Sequence, residues 1–337
     1  MSAKAEVIHL SNKGTPFWKD SMLLIGERLA RHLYWSSCRL RRWRQSKEKH
    51  ARIVQQRCQR EELSRHLSVM GVKSDAVVLV HTGIGGVEIL DGRGQAPANA
   101  VAQAQMLMDQ LLGLVGPGGT LVMPTHARYQ SDELKSEREG ITIYDPRRSP
   151  CSVGLVNELF WRRDGVKRSL FPYNMLAACG PLADELLRNN LNEREPSPHG
   201  ADSGYYRICQ RNGLVVSIGV PLRECITIAH VVEEVRADWP IKDFFTQRRY
   251  QVVQDGMAKE WTVRLRRVEY AKFCYCRKKM GRDLVAEGVI HEGTVGTVRV
   301  DWARAGEAYD FFWRKTAKRP YPYYGLWMLR KPWSKES

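Results

Sequence analysis

Long apolar runs are missing from this chain of 337 residues. No stretch of eighteen consecutive apolar residues occurs, although hydrophobic residues make up 43% of the sequence. A membrane-spanning helix needs about twenty such residues, so none is predicted. The early segment SMLLIG, residues 21–26, is also too short and too poorly flanked for a secretory signal. We therefore expect a globular, cytoplasmic protein with enough apolar residues to form a core.

Cysteine and glycine are present, but not in the patterns of known site types. The eight cysteines include one close pair, Cys274 and Cys276, with no second pair at zinc-finger spacing. We expect reduced thiols and no metal. The glycine-rich HTGIGG, residues 81–86, lacks both the Gly-Lys-Ser/Thr ending of a Walker loop and the third glycine of a dinucleotide fingerprint. It is either a plain tight turn or a loop whose backbone N–H groups contact a ligand.

Basic charge is concentrated at the start of the chain. The net charge is +16, and residues 1–60 contain fourteen Lys or Arg against four Asp or Glu, a net charge of +10. Residues 16–72 have helical apolar spacing, which predicts two or three helices. With Trp35 and Trp43 among its arginines, this extension could contact an anionic membrane surface. A second subunit, nucleic acid and a solvated amphipathic helix are the alternatives, but no nucleic-acid recognition motif occurs.

The rest of the chain, residues 61–337, predicts one α/β domain. Continuous branched runs at 76–81, 120–125 and 213–220 are typical of strands buried on both faces. Helical patterns separate them, and alternation around Asp255-Gly256 predicts a hairpin. We expect a three-layer α/β/α arrangement with a mostly parallel central sheet, an antiparallel hairpin addition and the helical N-terminal extension.

Three predicted strands bring polar residues to the sheet edge where ligands bind in such folds. The first ends at His81, the second at His126, and the third leads within ten residues to His230. In a helix over ECITIAHVVEEV, residues 224–235, His230 would share a face with Thr227 and one of the two following glutamates. This is either a satisfied core histidine or a base with its orienting acid.

Two loop-like stretches carry further candidates. Lys167 and Arg168 lie in DGVKRSLFPYN, and His199 lies in SPHGADSG. The basic pair could bind phosphate groups. Ordinary surface charge is the alternative for all three residues.

Together, these stretches resemble the aminoglycoside 3-N-acetyltransferase family over about residues 61–315. VHTGI, GPGGTLVMPT, VGLVNELFWRRDGVKRSLFPYN, SPHGADSG and TIAHVVE follow the order and spacing of the family's motifs. The last is similar to Thr-x-x-His-x-x-Glu, which favours a functional His230 and selects Glu233 over Glu234. The resemblance implies transfer of an acetyl group from acetyl-coenzyme A to an amine.

The resemblance also implies roles for single residues. His230 would be the general base, Glu233 would orient its ring, and Thr82 with the backbone N–H groups of 82–86 would stabilise charge on the thioester oxygen. No covalent intermediate is expected, and Cys225 is expected to serve packing only. Acyl-coenzyme A binding is assigned to His81, Gly83, Lys167, Arg168, Ser169 and Thr227.

Three positions depart from the family's motifs. Gly83 replaces a hydroxyl residue, Phe171 replaces a histidine, and Asn174 replaces a serine. These changes favour an amino sugar of a cell-surface glycan as acceptor over the family's antibiotics, which stay the alternative. A homodimer and peripheral contact with the inner membrane face through residues 1–60 are further expectations. A nucleic-acid-binding protein and a catalytically silent scaffold are the alternatives of another class.

Overall fold

A computed structural model describes residues 56–127, 142–239, 241, 244–267, 276–317 and 322–324. They belong to one compact unit, Val54–Met328. Trp35, Trp43 and Cys274 of the Cys274–Cys276 pair lie outside the described residues, so the predictions that rest on them are not addressed by the structure. Within the described ranges, no helix is long and apolar enough to span a membrane.

The largest sheet has seven strands within the described residues. They are β2 (Val77–Thr82), β4 (Thr120–Pro124), β6 (Lys167–Arg168), β7 (Leu176–Cys179), β8 (Leu214–Ile218), β11 (Thr294–Val295) and β12 (Val298–Arg304). Their order across the sheet is β11-β12-β8-β2-β4-β7-β6. The three runs predicted to be buried strands are the centre of this sheet, and every residue of β2, β4 and β8 is buried.

The expectation of a mostly parallel sheet is wrong. Of the six pairs of neighbouring strands in this sheet, only β8 with β2 and β2 with β4 are parallel. The four outer strand pairs, β4 with β7, β7 with β6, β12 with β8 and β11 with β12, are antiparallel. An apolar run indicates that a strand is buried, but it carries no information on the direction in which the strand joins the sheet.

The predicted hairpin is confirmed, and it forms a separate sheet. Strands β9 (Phe245–Gln254) and β10 (Met257–Arg266) pair antiparallel around Asp255 and Gly256. Their φ angles of 51° and 82° are the positive values that a tight two-residue hairpin turn requires. A further strand, β5 (Thr142–Tyr144), adds to β9 in parallel.

The N-terminal boundary differs from the prediction. Residues Gln56–Gln59, expected in a helix of the extension, form strand β1, which pairs in parallel with β3 (Val87–Leu90). The pairing anchors β1 to the body of the domain. A helix follows at Arg60–Met70 and ends at Gly71, whose left-handed φ of 104° suits glycine.

The sheet residues alternate between two apolar clusters, one for each face. Val77 and Leu79 of β2 belong to one cluster, whereas Val78 and Val80 belong to the other. Described helices pack into these clusters: α1 (Arg60–Met70), α2 (Ala100–Val115), α3 (Leu155–Trp161), α4 (Ala183–Leu187), α5 (Gly204–Gln210), α6 (Leu222–Cys225), α7 (Ala229–Val235), α8 (Arg277–Ala286) and α9 (Ala305–Thr316).

The parallel centre of the sheet positions the candidate site. Because β8, β2 and β4 run in one direction, their carboxyl ends meet at one edge. β2 ends at Thr82, and β8 leads through α6 into α7, which carries His230. Strand β10 of the hairpin also reaches this helix, since Arg266 at its end contacts His230.

Candidate active site

His230 and Glu233 form a hydrogen-bonded pair on one face of the short helix α7. Three residues apart on a helix, the two side chains face each other, and His230 Nδ1 lies 2.9 Å from Glu233 Oε2. The carboxylate side chain is 1% exposed, whereas the imidazole is 15% exposed. The ring is thus the member of the pair that a ligand can reach.

Two residues from distant segments complete this cluster. Arg266 Nη1 lies 3.0 Å from Glu233 Oε2 and 2.8 Å from His230 Nδ1. The Tyr324 hydroxyl donates to Glu233 Oε1 at 2.7 Å. The Glu233 carboxylate is therefore engaged at both oxygens, which fixes its orientation toward the ring.

The electrostatics of the cluster keep the acid charged and the ring neutral. Burial lowers the pKa of His230 to about 4; the Arg266 charge lowers it further, whereas the charge and hydrogen bond of Glu233 act in the opposite direction. Burial raises the pKa of Glu233, but the charges of His230 and Arg266 and the hydrogen bonds from His230 and Tyr324 lower it by more. The arrangement is a neutral imidazole held by a carboxylate.

A second histidine–carboxylate pair lies beside the first. His199 Nδ1 is 2.8 Å from Glu234 Oε1, and its backbone N–H donates to Glu234 Oε2 at 2.6 Å. The His199 side chain is 2% exposed, so its interpretation as a surface residue is wrong. Its ring centroid is 5.3 Å from that of His230. Its Nε2 faces Asn174 Nδ2 at 3.3 Å.

The Thr82 hydroxyl has a different partner from the one expected. It donates to Asn157 Oδ1 at 2.9 Å, and the Asn157 amide is itself fixed by donation to the Pro124 carbonyl at 2.8 Å. A hydroxyl has one hydrogen to donate. While this bond holds, Thr82 can accept a hydrogen bond from a ligand but cannot donate to a thioester oxygen, which corrects the predicted role.

Gly83 replaces a hydroxyl residue of the family motif for a steric reason. A Cβ at this position would lie 2.1 Å from Val220 Cγ1. The valine side chain thus takes the space that a serine would need. The Gly83 N–H donates to the Ile218 carbonyl at 2.9 Å, so it is engaged within the chain rather than presented to a ligand.

Lys167 and Arg168, the predicted phosphate-binding pair, have different contacts in the structure. Arg168 donates to the carbonyls of Thr125, Ser149 and Pro146 and to the Thr125 hydroxyl, and its guanidinium lies 4.3 Å from the centroid of the Trp161 ring. These contacts use most of the N–H donors of the guanidinium. Arg168 therefore connects the segments around Thr125 and Ser149, and few of its donors are available to a phosphate group. Lys167 pairs with Asp184 at the surface.

The remaining residues assigned to acyl-coenzyme A binding are His81, Ser169 and Thr227, and each has its own contacts or burial. His81 is 5% exposed, and burial lowers its pKa to about 4. The Ser169 hydroxyl accepts from the Phe171 N–H at 3.1 Å. The Thr227 carbonyl accepts from the His230 N–H at 3.0 Å, and its side chain faces the Tyr205 hydroxyl. Only Thr227 of these residues is placed next to His230 by its contacts.

A narrow cleft of about 10 Å³, roughly the size of one water molecule, lies beside the His199 pair, since Asn174 and Tyr205 of its lining contact the His199 ring. Two of the motif departures line it: Phe171, which also packs into an apolar cluster with Tyr144 and Tyr250, and Asn174. Its lining among the described residues is uncharged and includes Ser169, Phe171, Asn174, Asn190, Ser197 and Tyr205. The cleft therefore offers hydroxyl and amide groups for hydrogen bonding.

Several residues of the site were not predicted from the sequence. Arg266, Tyr324 and Asn157 lie 36, 91 and 75 residues from the partners they contact, His230, Glu233 and Thr82. No local spacing could have indicated these contacts. Glu234 could have been identified from a weak signal. Only one of the two consecutive glutamates can pair with His230, so the other must have a different partner.

Comparisons with known proteins identify the family of this chain. A family model described as aminoglycoside 3-N-acetyltransferase matches residues 79–315. Aminoglycoside N(3)-acetyltransferase IV from Salmonella sp is 29% identical over 248 residues, covering 72% of this chain and 81% of the relative. Aminoglycoside N(3)-acetyltransferase IX from Micromonospora chalcea is 27% identical over 274 residues, covering 75% and 91%.

Solved structures show the same fold. The aminoglycoside acetyltransferase AAC(3)-IVa apoenzyme superimposes with a TM-score of 0.58 at 25% identity, covering 79% of this chain and 91% of that one. AAC-VIa bound to sisomicin superimposes with a TM-score of 0.61 at 22% identity, covering 77% and 98%. The mixed α/β fold is therefore that of the acetyltransferases in these structures.

Fold and relatives together define a coenzyme A-dependent N-acetyltransferase. The chain belongs to the aminoglycoside 3-N-acetyltransferase family. Its co-substrate is acetyl-coenzyme A.

Proposed function

We propose that the protein transfers the acetyl group of acetyl-coenzyme A directly to an amino group of an aminoglycoside, with His230 as the general base. The observation that carries the proposal is the His230–Glu233 contact of 2.9 Å next to a partly exposed imidazole. The names of the relatives favour an aminoglycoside acceptor over the glycan amino sugar.

In this mechanism, the amine nitrogen attacks the thioester carbonyl carbon, and His230 Nε2 takes one amine proton. A C–N bond forms, the C–S bond breaks, and coenzyme A leaves as the thiolate. The negative Glu233 stabilises the imidazolium that forms and holds the ring in place. The thiolate is a good leaving group because the pKa of a thiol is about 8.5, so no strong general acid is required.

Negative charge develops on the thioester oxygen during the attack, and hydrogen-bond donors must stabilise it. Thr82 donates elsewhere, and the Gly83 N–H is bound to Ile218. We therefore assign stabilisation of the thioester oxygen to the backbone N–H groups of residues 84–86 in the glycine-rich loop. A cysteine nucleophile is not part of the mechanism, since burial raises the pKa of Cys225 to about 12 and keeps its thiol protonated.

The uncharged cleft is too small for a sugar ring, but it can take one hydroxyl substituent of an acceptor by hydrogen bonding. Asn174 and Asn190 line it with hydroxyl residues, and amides and hydroxyls pair with sugar hydroxyls without requiring charge.

Release of free coenzyme A, followed with a thiol reagent, tests the proposal. Acceptors would include gentamicin, apramycin and sisomicin, with a nucleotide-linked glucosamine as the glycan-type comparison. We expect acetyl-dependent turnover with at least one aminoglycoside and loss of turnover in His230→Gln. Turnover confined to the nucleotide-linked sugar would contradict the acceptor class, and full activity in His230→Gln would contradict the base.

A further inference from the structure

The guanidinium of Arg266 lies along the edge of the His230 ring. Its Nη1 is 2.8 Å from Nδ1, and its Nη2 is 3.3 Å from Nε2. The same Nη1 is 3.0 Å from Glu233 Oε2. One cation therefore meets both ring nitrogens and the carboxylate that orients the ring.

These contacts cannot all be hydrogen bonds at one time. A guanidinium only donates, and an ionised carboxylate only accepts. If Nδ1 carries the proton, it donates to Glu233 and meets Arg266 as a second donor. If Nδ1 is bare, it accepts from Arg266, and the ring proton lies on Nε2. At Nδ1, Glu233 and Arg266 thus favour opposite tautomers of His230. The Nη2–Nε2 contact of 3.3 Å is compatible with a bare Nε2, but it is longer than the Nη1–Nδ1 contact of 2.8 Å, so we expect the Nδ1 contact to dominate.

We propose that Arg266 is a positioning residue that competes with Glu233 for Nδ1 of His230 and so controls whether Nε2 is free to accept a proton. The inference rests on the proposed role of His230 as base. With Nδ1 bound to Arg266, Nε2 is protonated and the base is blocked. With Nδ1 bound to Glu233, Nε2 is bare and can take the proton of the acceptor amine.

Arg266 also places a positive charge against the ring. Among the described residues, charged and titratable groups that face His230 include Glu233 on its own helix, Arg266 on β10, Tyr324 through Glu233, and His199 from the neighbouring loop. Of these, Arg266 and, to a lesser degree, His199 oppose the imidazolium, and Glu233 favours it. Burial is the main cause of the lowered pKa of His230, and the Arg266 charge acts in the same direction.

Strand β10 supplies a matched control. Arg264 lies two residues before Arg266 on the same face of the strand, while Val263 and Leu265 are buried on the other face. Arg264 donates to the Glu234 backbone carbonyl at 3.1 Å and packs over Phe245. Arg264→Gln therefore removes the same charge from the same strand without removing a contact with the His230 ring.

Nitrogen-15 NMR of the histidine rings in the full-length protein tests the proposal without acceptor or acetyl-coenzyme A. His230→Gln assigns the His230 signals. In the parent at neutral pH, we expect ring shifts between those of the two pure tautomers. Arg266→Gln should move them to the Nδ1-protonated form and raise the pKa of His230 by about one or more. Glu233→Gln should move them to the Nε2-protonated form.

Arg266→Lys separates charge from geometry. It keeps the positive charge but loses the fork that reaches both ring nitrogens, so the pKa of His230 should stay low while the tautomer follows Glu233. Arg264→Gln should leave the ring shifts unchanged. Identical His230 shifts and pKa in the parent and Arg266→Gln would overturn the proposal. Because the measurement requires no turnover, these results hold whether or not the proposed function does.

Discussion

Glu233 and Glu234 are neighbours in the chain, yet their carboxylates bind different histidines. Glu233 holds His230, and Glu234 holds both the ring and the backbone of His199. The two pairs are adjacent, with ring centroids 5.3 Å apart. The first pair includes the partly exposed ring, whereas the second is buried within the domain.

The two glutamates should therefore differ when each is changed to glutamine. Glu233→Gln removes the charge that stabilises the His230 imidazolium, so we expect kcat to fall by about 10²-fold or more. Glu234→Gln breaks a buried charge-assisted pair, so we expect mainly a loss of stability, about 2–4 kcal/mol. Steady-state kinetics and urea unfolding of both variants measure the two effects. Equal losses of kcat in well-folded proteins would contradict the separation.

Removal of the imidazole should abolish transfer without unfolding the protein. His230→Ala deletes the proposed base, so we expect kcat to fall by ~10²–10⁴-fold. The ring is 15% exposed, and its loss should cost only ~1 kcal/mol of unfolding free energy. His291→Gln is the control, because this histidine stacks on Trp302 outside the site. Turnover above a tenth of the parental rate would exclude His230 as the base.

Stability should fall as the pH is lowered from about 6.5 toward 4. Burial lowers the pKa values of His81 to about 4 and of His126 to about 3, whereas an unfolded histidine titrates near 6.5. In this window the unfolded chain binds protons that the native protein excludes, so protonation favours unfolding. Each such histidine contributes a slope of up to about 1.4 kcal/mol per pH unit.

Urea unfolding between pH 4.5 and 7.5 measures this dependence. His81→Leu removes one of the buried titrating rings, so its stability should depend less steeply on pH than that of the parent. Parallel curves for the two proteins would show that His81 does not contribute.

Restoring the family's hydroxyl at position 83 should destabilise the protein through one contact. In Gly83→Ser the new Cβ would overlap Val220 Cγ1, and we expect a loss of ~1–3 kcal/mol. Val220→Ala removes the overlapping methyl group, so the double variant should recover part of that loss. Thermal unfolding of the four proteins gives the coupling energy. If the losses of stability in the two single variants add up in the double variant, a residue other than Val220 opposes a side chain at position 83.

The sequence by itself determined the local features of this protein. Branched apolar runs located β2, β4 and β8, and the Asp255-Gly256 turn located the hairpin. The helical spacing of three residues brought His230 against Glu233, because contacts within one element depend only on its periodicity. The family motif then selected Glu233 over Glu234.

Only the tertiary structure decided the directions of the outer strands and the partners that come from distant segments. Arg266 reaches His230 from β10, Tyr324 reaches Glu233 from beyond the last described helix, and Asn157 fixes Thr82. Whether a buried strand enters a sheet parallel or antiparallel, and which side chain meets a given ring, depends on how separate elements pack together. That packing minimises exposed apolar surface and satisfies buried polar groups over the whole domain, so no short segment encodes it alone.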